Sequence, residues 1–216
     1  MTATSQAVRG TLYIVSAPSG AGKTSLVAAL LERVEQVEVS VSHTTRKPRA
    51  GEVNGEHYHF VSAEEFLGMI EDGQLLEHAK VFDNFYGTAR ASVEERLDAG
   101  MDVILEIDWQ GARQVRAAVP DAHSIFILPP SRDELERRLR GRGQDSEEVI
   151  QRRLRDAESD CTHFREYDYT VVNSDFERAV NDLASIFRSN RLRTVEQEIR
   201  SASTIRNLLA STPGTA

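Results

Sequence analysis

Lysine is almost missing from this 216-residue chain, and acidic residues outnumber basic ones. The 26 basic residues are three lysines and 23 arginines, and 34 acidic residues give a net charge of −8. This balance argues against a protein that coats nucleic acid or an anionic membrane through its overall field. Any anionic ligand must therefore be bound locally.

Cysteine and long apolar runs are also scarce. The single cysteine, Cys161, excludes a disulfide within the chain and fits a reducing compartment, and we expect it to be a small buried apolar group. No apolar run approaches the about 20 residues of a membrane-spanning helix, and the first ten residues lack the apolar core of a signal peptide. The sequence predicts a cytoplasmic protein that binds neither a membrane nor a nucleic-acid polymer.

Short β-rich runs alternate with longer stretches that have the period of a helix, the pattern of parallel strands joined by helical crossovers. The length suits one hydrophobic core. The sequence therefore predicts an α/β fold with a five-stranded, parallel, doubly wound sheet. The predicted strands are residues 11–17, 37–42, 102–108, 124–130 and 170–173.

Several helices can be predicted from spacing and caps. Leu26, Leu30, Leu31 and Val34 have helical spacing after the first strand, and a second helix covers about 110–119 before Pro120. A third helix is predicted to begin after the cap Ser131. The last helix is predicted to begin after Ser174 or Asp175 and to run through Phe187.

Two stretches break the alternation. Residues 44–88 are rich in Gly, Asn, His and aromatics, with a predicted strand at 58–62 and a helix from Ala63, which indicates an inserted α+β lobe. Residues 132–155 hold eight arginines and six carboxylates around Gly-Arg-Gly, and form either a solvated, ion-paired helical pair or a hinged lid. We divide the chain into a core (10–43 and 89–209), the lobe (44–88), a lid (138–153) and a disordered tail (210–216).

The first strand leads into APSGAGKT, residues 17–24, and then into a helix. This is the phosphate-binding loop pattern, with Ala17 in place of its first glycine. Gly20 and Gly22 let backbone N–H groups converge on phosphate oxygens at a helix N-terminus. Lys23 supplies a point charge, and Thr24 a hydroxyl ligand for Mg²⁺. The predicted nucleoside triphosphate-binding residues of this loop are Ala17, Pro18, Ser19, Gly20, Ala21, Gly22, Lys23 and Thr24.

A second anion site is indicated in the inserted lobe. Arg46 and Arg49 lie three residues apart beside a proline, with the hydroxyls of Ser42 and Tyr58 nearby. Arginine forks match phosphate oxygens bidentately. A surface loop that carries two unrelated arginines is the alternative.

Seven segments together resemble the guanylate kinase family, most of all its bacterial enzymes. They run in order from about Leu12 to Arg193: SAPSGAGKT, SHTTRKPRAGEVNGEHYHF, LLEHAKVFDNFYGT, ILEIDWQGA, ILPPS, RLRGRGQDSEEVIQRRL and YDYTVVNSDF. The resemblance implies transfer of the γ-phosphate of ATP to GMP and dGMP, with Mg²⁺, in purine nucleotide metabolism. It leaves open whether the chain forms a homo-oligomer.

The resemblance also implies how GMP is bound. Glu77 would accept the adjacent N1–H and amine donors of guanine, and Thr88 would donate to O6. Adenine has an acceptor at N1, and a buried mismatch of this kind discriminates by ~10⁴ or more. The GMP phosphate would contact Ser42, Arg46, Arg49, Tyr58 and Tyr86.

The remaining implied residues follow the later strands. Glu106 and Asp108 would lie where ligands bind in open α/β sheets. Asp108 would contact GMP, and one or both carboxylates would bind waters that surround Mg²⁺. Asn173 would contact adenine, or is a turn residue, and Trp109 is expected to pack against the sheet. The lid arginines that would lie over the transferring phosphate are Arg138, Arg142 and Arg153.

Two other functions remain open. A catalytically silent guanylate-kinase-like module binds phosphoproteins, but such modules typically lose the loop lysine and lid arginines, which this chain has. Another nucleoside monophosphate kinase on the same fold is the second alternative, and Glu77 with Thr88 argues for guanine.

Overall fold

The computed structural model describes residues 8–81, 83–141 and 147–210. The strands are β1 Leu12–Ser16, β2 Val37–Val39, β3 His43–Thr44, β4 His59–Phe60, β5 Leu75–Val81, β6 Asn84–Ala89, β7 Asp102–Glu106, β8 His123–Leu128 and β9 Tyr169–Val172. The helices are α1 Lys23–Leu31, α2 Ala63–Glu71, α3 Arg90–Asp98, α4 Trp109–Ala118, α5 Arg132–Arg140, α6 Glu147–Cys161, α7 Phe176–Arg191, α8 Thr194–Arg200 and α9 Ala202–Ala210, with a 3₁₀ helix at Thr162–Glu166.

The core is a five-stranded parallel sheet in the order β2-β7-β1-β8-β9. Side chains of the central strand β1 alternate between two apolar clusters. Tyr13 and Val15 pack with α1 and α7, whereas Leu12 and Ile14 pack with α3 and α4. Because helices cover both faces, the predicted doubly wound α/β fold is confirmed.

The predicted helix starts are confirmed, with small shifts in the first residue. Ser131 accepts the Glu134 N–H at 3.1 Å and caps α5, and Asp175, not Ser174, caps α7. The last helix continues past Phe187 to Arg191, whose guanidinium donates to the buried Asp102 carboxylate at 2.9 Å. None of the helices in the described ranges is long and apolar enough to cross a membrane.

The lobe has a sheet of its own, in the order β4-β3-β6-β5. The strand predicted at 37–42 is wrong beyond Val39, because the chain leaves the core sheet after Ser40 and joins the lobe sheet at His43. The strand predicted at 58–62 shrinks to β4. The β5–β6 hairpin was not predicted, since the buried carboxylate of Glu77 interrupts the apolar pattern of β5.

The arginine-rich stretch is a pair of helices with an apolar seam. Leu135, Leu139, Ile150, Leu154 and Ala157 form a third buried cluster between α5 and α6. Exposed ion pairs cover its outside, as the solvated helical pair predicts, and residues 142–146 of the predicted lid lie outside the described residues. The predicted tail is corrected at Ala210, which ends α9, and 211–216 lie outside the described residues.

Candidate active site

A cleft of about 840 Å³ opens between the loop after β1, the end of β7, the lobe and α6. Most residues singled out from the sequence line it. Ala21, Thr88, Arg138 and Asn173 are placed behind the lining, and Arg142 lies outside the described residues. The cleft brings together Ala17, Pro18, Ser19, Gly20, Gly22, Lys23, Thr24, Ser42, Arg46, Arg49, Tyr58, Glu77, Tyr86, Glu106, Asp108 and Arg153.

The loop after β1 has the conformation that its glycines allow. Gly20 and Gly22 have φ of 91° and 95°, a region that other residues rarely adopt, whereas Ala17 keeps a negative φ. Gly22 precedes α1 without a side-chain cap, so the first N–H groups of the helix remain available for a ligand.

Lys23 lies at the floor of the cleft beside Glu106. Its ammonium is 3.8 Å from the Glu106 carboxylate, and Thr24 Oγ1 donates to the same oxygen at 3.4 Å. Desolvation lowers the pKa of Lys23, and the carboxylates of Glu106, Asp108 and Glu77 oppose that shift. Burial and the neighbouring carboxylates thus act in opposite directions on the Lys23 ammonium.

Two side chains outside the cleft hold the loop by its backbone. Asn173 donates its amide N–H to the Ala21 carbonyl at 2.8 Å, and Arg138 donates to the same carbonyl at 3.2 Å. A Cβ on Gly22 would lie 2.6 Å from the Asn173 amide nitrogen, so the amide occupies the space that this glycine leaves. Both side chains, assigned by resemblance to adenine and phosphate, are engaged with the loop in this structure.

Arg46 is oriented by a carboxylate that the sequence analysis missed. Its guanidinium donates two hydrogen bonds to Glu52, of 2.8 and 2.9 Å, and the Arg49 N–H donates to Glu52 at 2.7 Å. These hydrogen bonds hold the pKa of Glu52 down at about 2. The Arg46 guanidinium also lies 5.4 Å above the Tyr58 ring, which itself packs edge-on to Tyr86. Three of the proposed phosphate ligands, Arg46, Tyr58 and Tyr86, thus pack in one group.

Glu77 and Thr88 face each other across the β5–β6 hairpin. Both are buried, and Thr88 Oγ1 donates to Glu77 Oε1 at 2.7 Å. Burial raises the pKa of Glu77 to about 7, Asp108 adds to the shift, and the Thr88 hydrogen bond opposes it. The one hydroxyl proton of Thr88 is directed at Glu77, so it is not directed at a base as the resemblance implies.

Asp108 serves as the N-cap of α4. Its Oδ1 accepts the Gly111 N–H at 2.9 Å, its Oδ2 accepts from Gln110 Nε2 at 3.3 Å, and the residue lines the cleft. The expectation for Trp109 is wrong: it starts α4, lines the cleft and stacks on His163 at 4.0 Å rather than packing into the sheet. The helix start turns this side chain away from the sheet.

Comparison with known proteins establishes the family. The family model for guanylate kinase matches residues 9–190. The chain belongs to the guanylate kinase family. The guanylate kinases of Yersinia pestis and Escherichia coli (strain K12) are each 58% identical to it, over 205 and 204 residues, which is 94% of this chain and 99% of theirs. The crystal structure of guanylate kinase from Anaplasma phagocytophilum matches with a TM-score of 0.74 at 36% identity, covering 90% of this chain and 94% of that one.

Helix α6 closes one side of the cleft in this guanylate kinase family member. Arg153 lies on it, as the resemblance implies, together with Arg152, Asp156 and Asp160, which the sequence analysis did not single out. The signal that could have found them is the i,i+4 spacing of Arg152, Asp156 and Asp160, which places them along one side of a helix.

The donor set at the floor of the cleft fits Mg²⁺. Thr24 and Glu106 present a hydroxyl and a carboxylate 3.4 Å apart, both hard oxygen donors. Among the described residues, no group of three or more His, Cys, Asp or Glu could hold a metal alone. Mg²⁺ is commonly held by one or two protein groups, with substrate phosphates and water completing its shell.

Proposed function

We propose that this chain transfers the γ-phosphoryl group of ATP to GMP, giving ADP and GDP, and that dGMP is a second acceptor. The observation that carries the proposal is the buried Glu77–Thr88 pair, of which Glu77 lines the same cleft as the phosphate-binding loop. A buried carboxylate that accepts two adjacent donors suits guanine and leaves adenine mismatched. Location in the cytoplasm is part of the proposal, because the free cysteine suits a reducing compartment.

The donor nucleotide is held at the loop. Its phosphates bind the backbone N–H groups after Gly20 and at the start of α1, with Lys23 on the β and γ phosphates. Thr24, and waters held by Glu106 and Asp108, would hold Mg²⁺, which when bound neutralises charge on the transferred group. Asn173 and Arg138 keep the loop in shape from behind.

The acceptor is held by the lobe. The arginines and hydroxyls around Arg46 bind the GMP phosphate, since two guanidinium forks can match its oxygens bidentately. Glu77 accepts the N1–H and amine of guanine, with Thr88 orienting that carboxylate. Asp108, which lines the same cleft, contacts the bound GMP.

The chemistry requires position and charge rather than a covalent intermediate. Phosphoryl transfer passes through a loose transition state, so alignment of acceptor oxygen and γ phosphorus contributes most. Arg138, Arg142 and Arg153 offset the negative charge that two nucleotides bring together, and closure of lobe and lid excludes water.

A coupled assay of ADP formation with GMP, dGMP, AMP, CMP and UMP tests the proposal. We expect turnover of GMP and dGMP, and a kcat/KM for AMP lower by ~10⁴. Turnover of AMP with none of GMP would assign the chain to another nucleoside monophosphate kinase. No ADP with any acceptor, together with binding of a phosphopeptide, would favour the silent module.

A further inference from the structure

Gly111 lies in the first turn of α4, directly against the carboxylate of Glu77. A Cβ built on Gly111 would be 2.4 Å from Glu77 Oε2 and 3.1 Å from its Cδ. Ordinary van der Waals contact starts at about 3.4 Å, so any side chain here must displace the carboxylate by about 1 Å. The Glu77 carboxylate therefore packs directly against the backbone of Gly111.

Backbone conformation does not explain a glycine at this position. Gly111 is not among the glycines with positive φ, and it lies in a regular helix. Alanine is the better helix former, and the next residue, Ala112, is fully buried without difficulty. Space for Glu77 is the physical reason that remains.

The helix cannot retreat to make that space. Gln114 lies one turn further along the same side of α4. Its amide accepts the His78 N–H at 3.1 Å and donates to the His78 carbonyl at 2.7 Å. This clamp ties α4 to β5 at the residue that follows Glu77, and Asp108 fixes the first turn through the Gly111 N–H.

The carboxylate is thereby held from both sides. Thr88 donates to Oε1, and Gly111 touches Oε2. We propose that Gly111 is a positioning residue for guanine selectivity: its missing side chain sets where the Glu77 carboxylate stands, and the Gln114–His78 clamp keeps that distance. The inference rests on the proposed function, in which Glu77 accepts the donors of guanine.

The test compares Gly111→Ala with Gly68→Ala, a matched helical glycine in α2 that has no atom within 4 Å of its built Cβ. We expect Gly111→Ala to raise KM for GMP at least about tenfold, with KM for ATP within about twofold of wild type. IMP lacks the exocyclic amine, so the ratio of kcat/KM for GMP over IMP should fall about tenfold. Gly68→Ala should change none of these.

A double-mutant cycle with Glu77→Asp tests the contact itself. Aspartate is one methylene shorter and withdraws from the added methyl group. We expect Gly111→Ala to cost at least about tenfold in kcat/KM for GMP alone, but less than about threefold in the Glu77→Asp background. Equal costs in both backgrounds would overturn the inference, as would a Gly111→Ala enzyme with wild-type KM and wild-type GMP over IMP ratio.

Gly111→Ala and the double variant with Glu77→Asp also test whether a folding defect explains the result. If Gly111→Ala alone does not fold, recovery of folded protein in the double variant supports the inference, and an unfolded double variant overturns it. A wild-type chain that does not prefer GMP to IMP would overturn the proposed function as well. A wild type that prefers GMP beside an unaffected Gly111→Ala would overturn the inference alone.

Discussion

The carboxylate of Glu52 holds the guanidinium of Arg46 through two hydrogen bonds, of 2.8 and 2.9 Å. The side chains of Arg46 and Glu52 are 15% and 16% exposed. Glu52 also accepts the backbone N–H of Arg49, so one carboxylate holds the Arg46 guanidinium and the backbone at Arg49. A preset guanidinium loses less conformational freedom when phosphate binds.

Glu52→Gln is expected to raise KM for GMP about tenfold, because the charged bidentate hydrogen bond becomes a neutral one and Arg46 loses its orientation. KM for ATP should stay the same, since Glu52 lies on the lobe. Steady-state kinetics with each substrate varied in turn gives both values. Glu56→Gln, an exposed carboxylate in the same loop, is the control. Unchanged KM for GMP in Glu52→Gln would show that Arg46 needs no such anchor.

Lys23→Ala is expected to lower kcat by about 10² to 10³, because a charge aimed at the transferring phosphate is removed. The fold should remain intact, since Lys23 lies at the cleft surface rather than in an apolar cluster. Initial rates and a thermal melt measure the two effects. Lys47→Ala removes an exposed lysine and should leave both unchanged. Full turnover by Lys23→Ala would remove this residue from its proposed role.

The pH dependence of GMP use should report the ionisation of Glu77. Burial raises its pKa to about 7, and only the carboxylate form accepts two donors from guanine. We expect kcat/KM for GMP to fall about tenfold per pH unit below about 7. A profile that stays flat between pH 5 and pH 7 would contradict the assignment of Glu77 to the base.

The same shift should affect stability in a defined direction. Between pH 4.5 and 7 the folded chain keeps a proton on Glu77 that the unfolded chain has released, so the free energy of unfolding falls as pH rises. The contribution of this group is on the order of 3 kcal/mol across that window. Denaturant unfolding of wild type and Glu77→Gln at several pH values measures it. Parallel pH curves for the two proteins would contradict the shifted pKa.

Asn173→Ala should weaken the phosphate-binding loop. It leaves the buried Ala21 carbonyl with only the 3.2 Å hydrogen bond from Arg138, at a cost of about 1 to 3 kcal/mol in unfolding free energy. If Asn173 acts by supporting the loop, KM should rise by the same factor for ATP and GTP as donors. A contact with adenine predicts a rise for ATP alone. Asn181→Ala, at an exposed asparagine, is the control.

Features set by neighbouring residues could be predicted from the sequence. The strand, loop and helix around Lys23 are contiguous, so their pattern alone indicates a nucleotide phosphate site. The apolar run of β1 predicts burial on both faces, and Ser131 caps a helix through a residue three positions away. Short-range geometry determines such features whatever the rest of the chain does.

Only the tertiary structure decided which distant groups meet. Gly111 touches Glu77 across 34 positions, and Asn173 reaches Ala21 across 152. The β5–β6 hairpin escaped prediction because Glu77 is a buried polar residue, and its partner Thr88 becomes its neighbour only through strand pairing. The sequence by itself determined the phosphate loop and the parallel sheet. Packing between remote segments decided the position of the Glu77 carboxylate that would select the base, and its burial raises the pKa of that group.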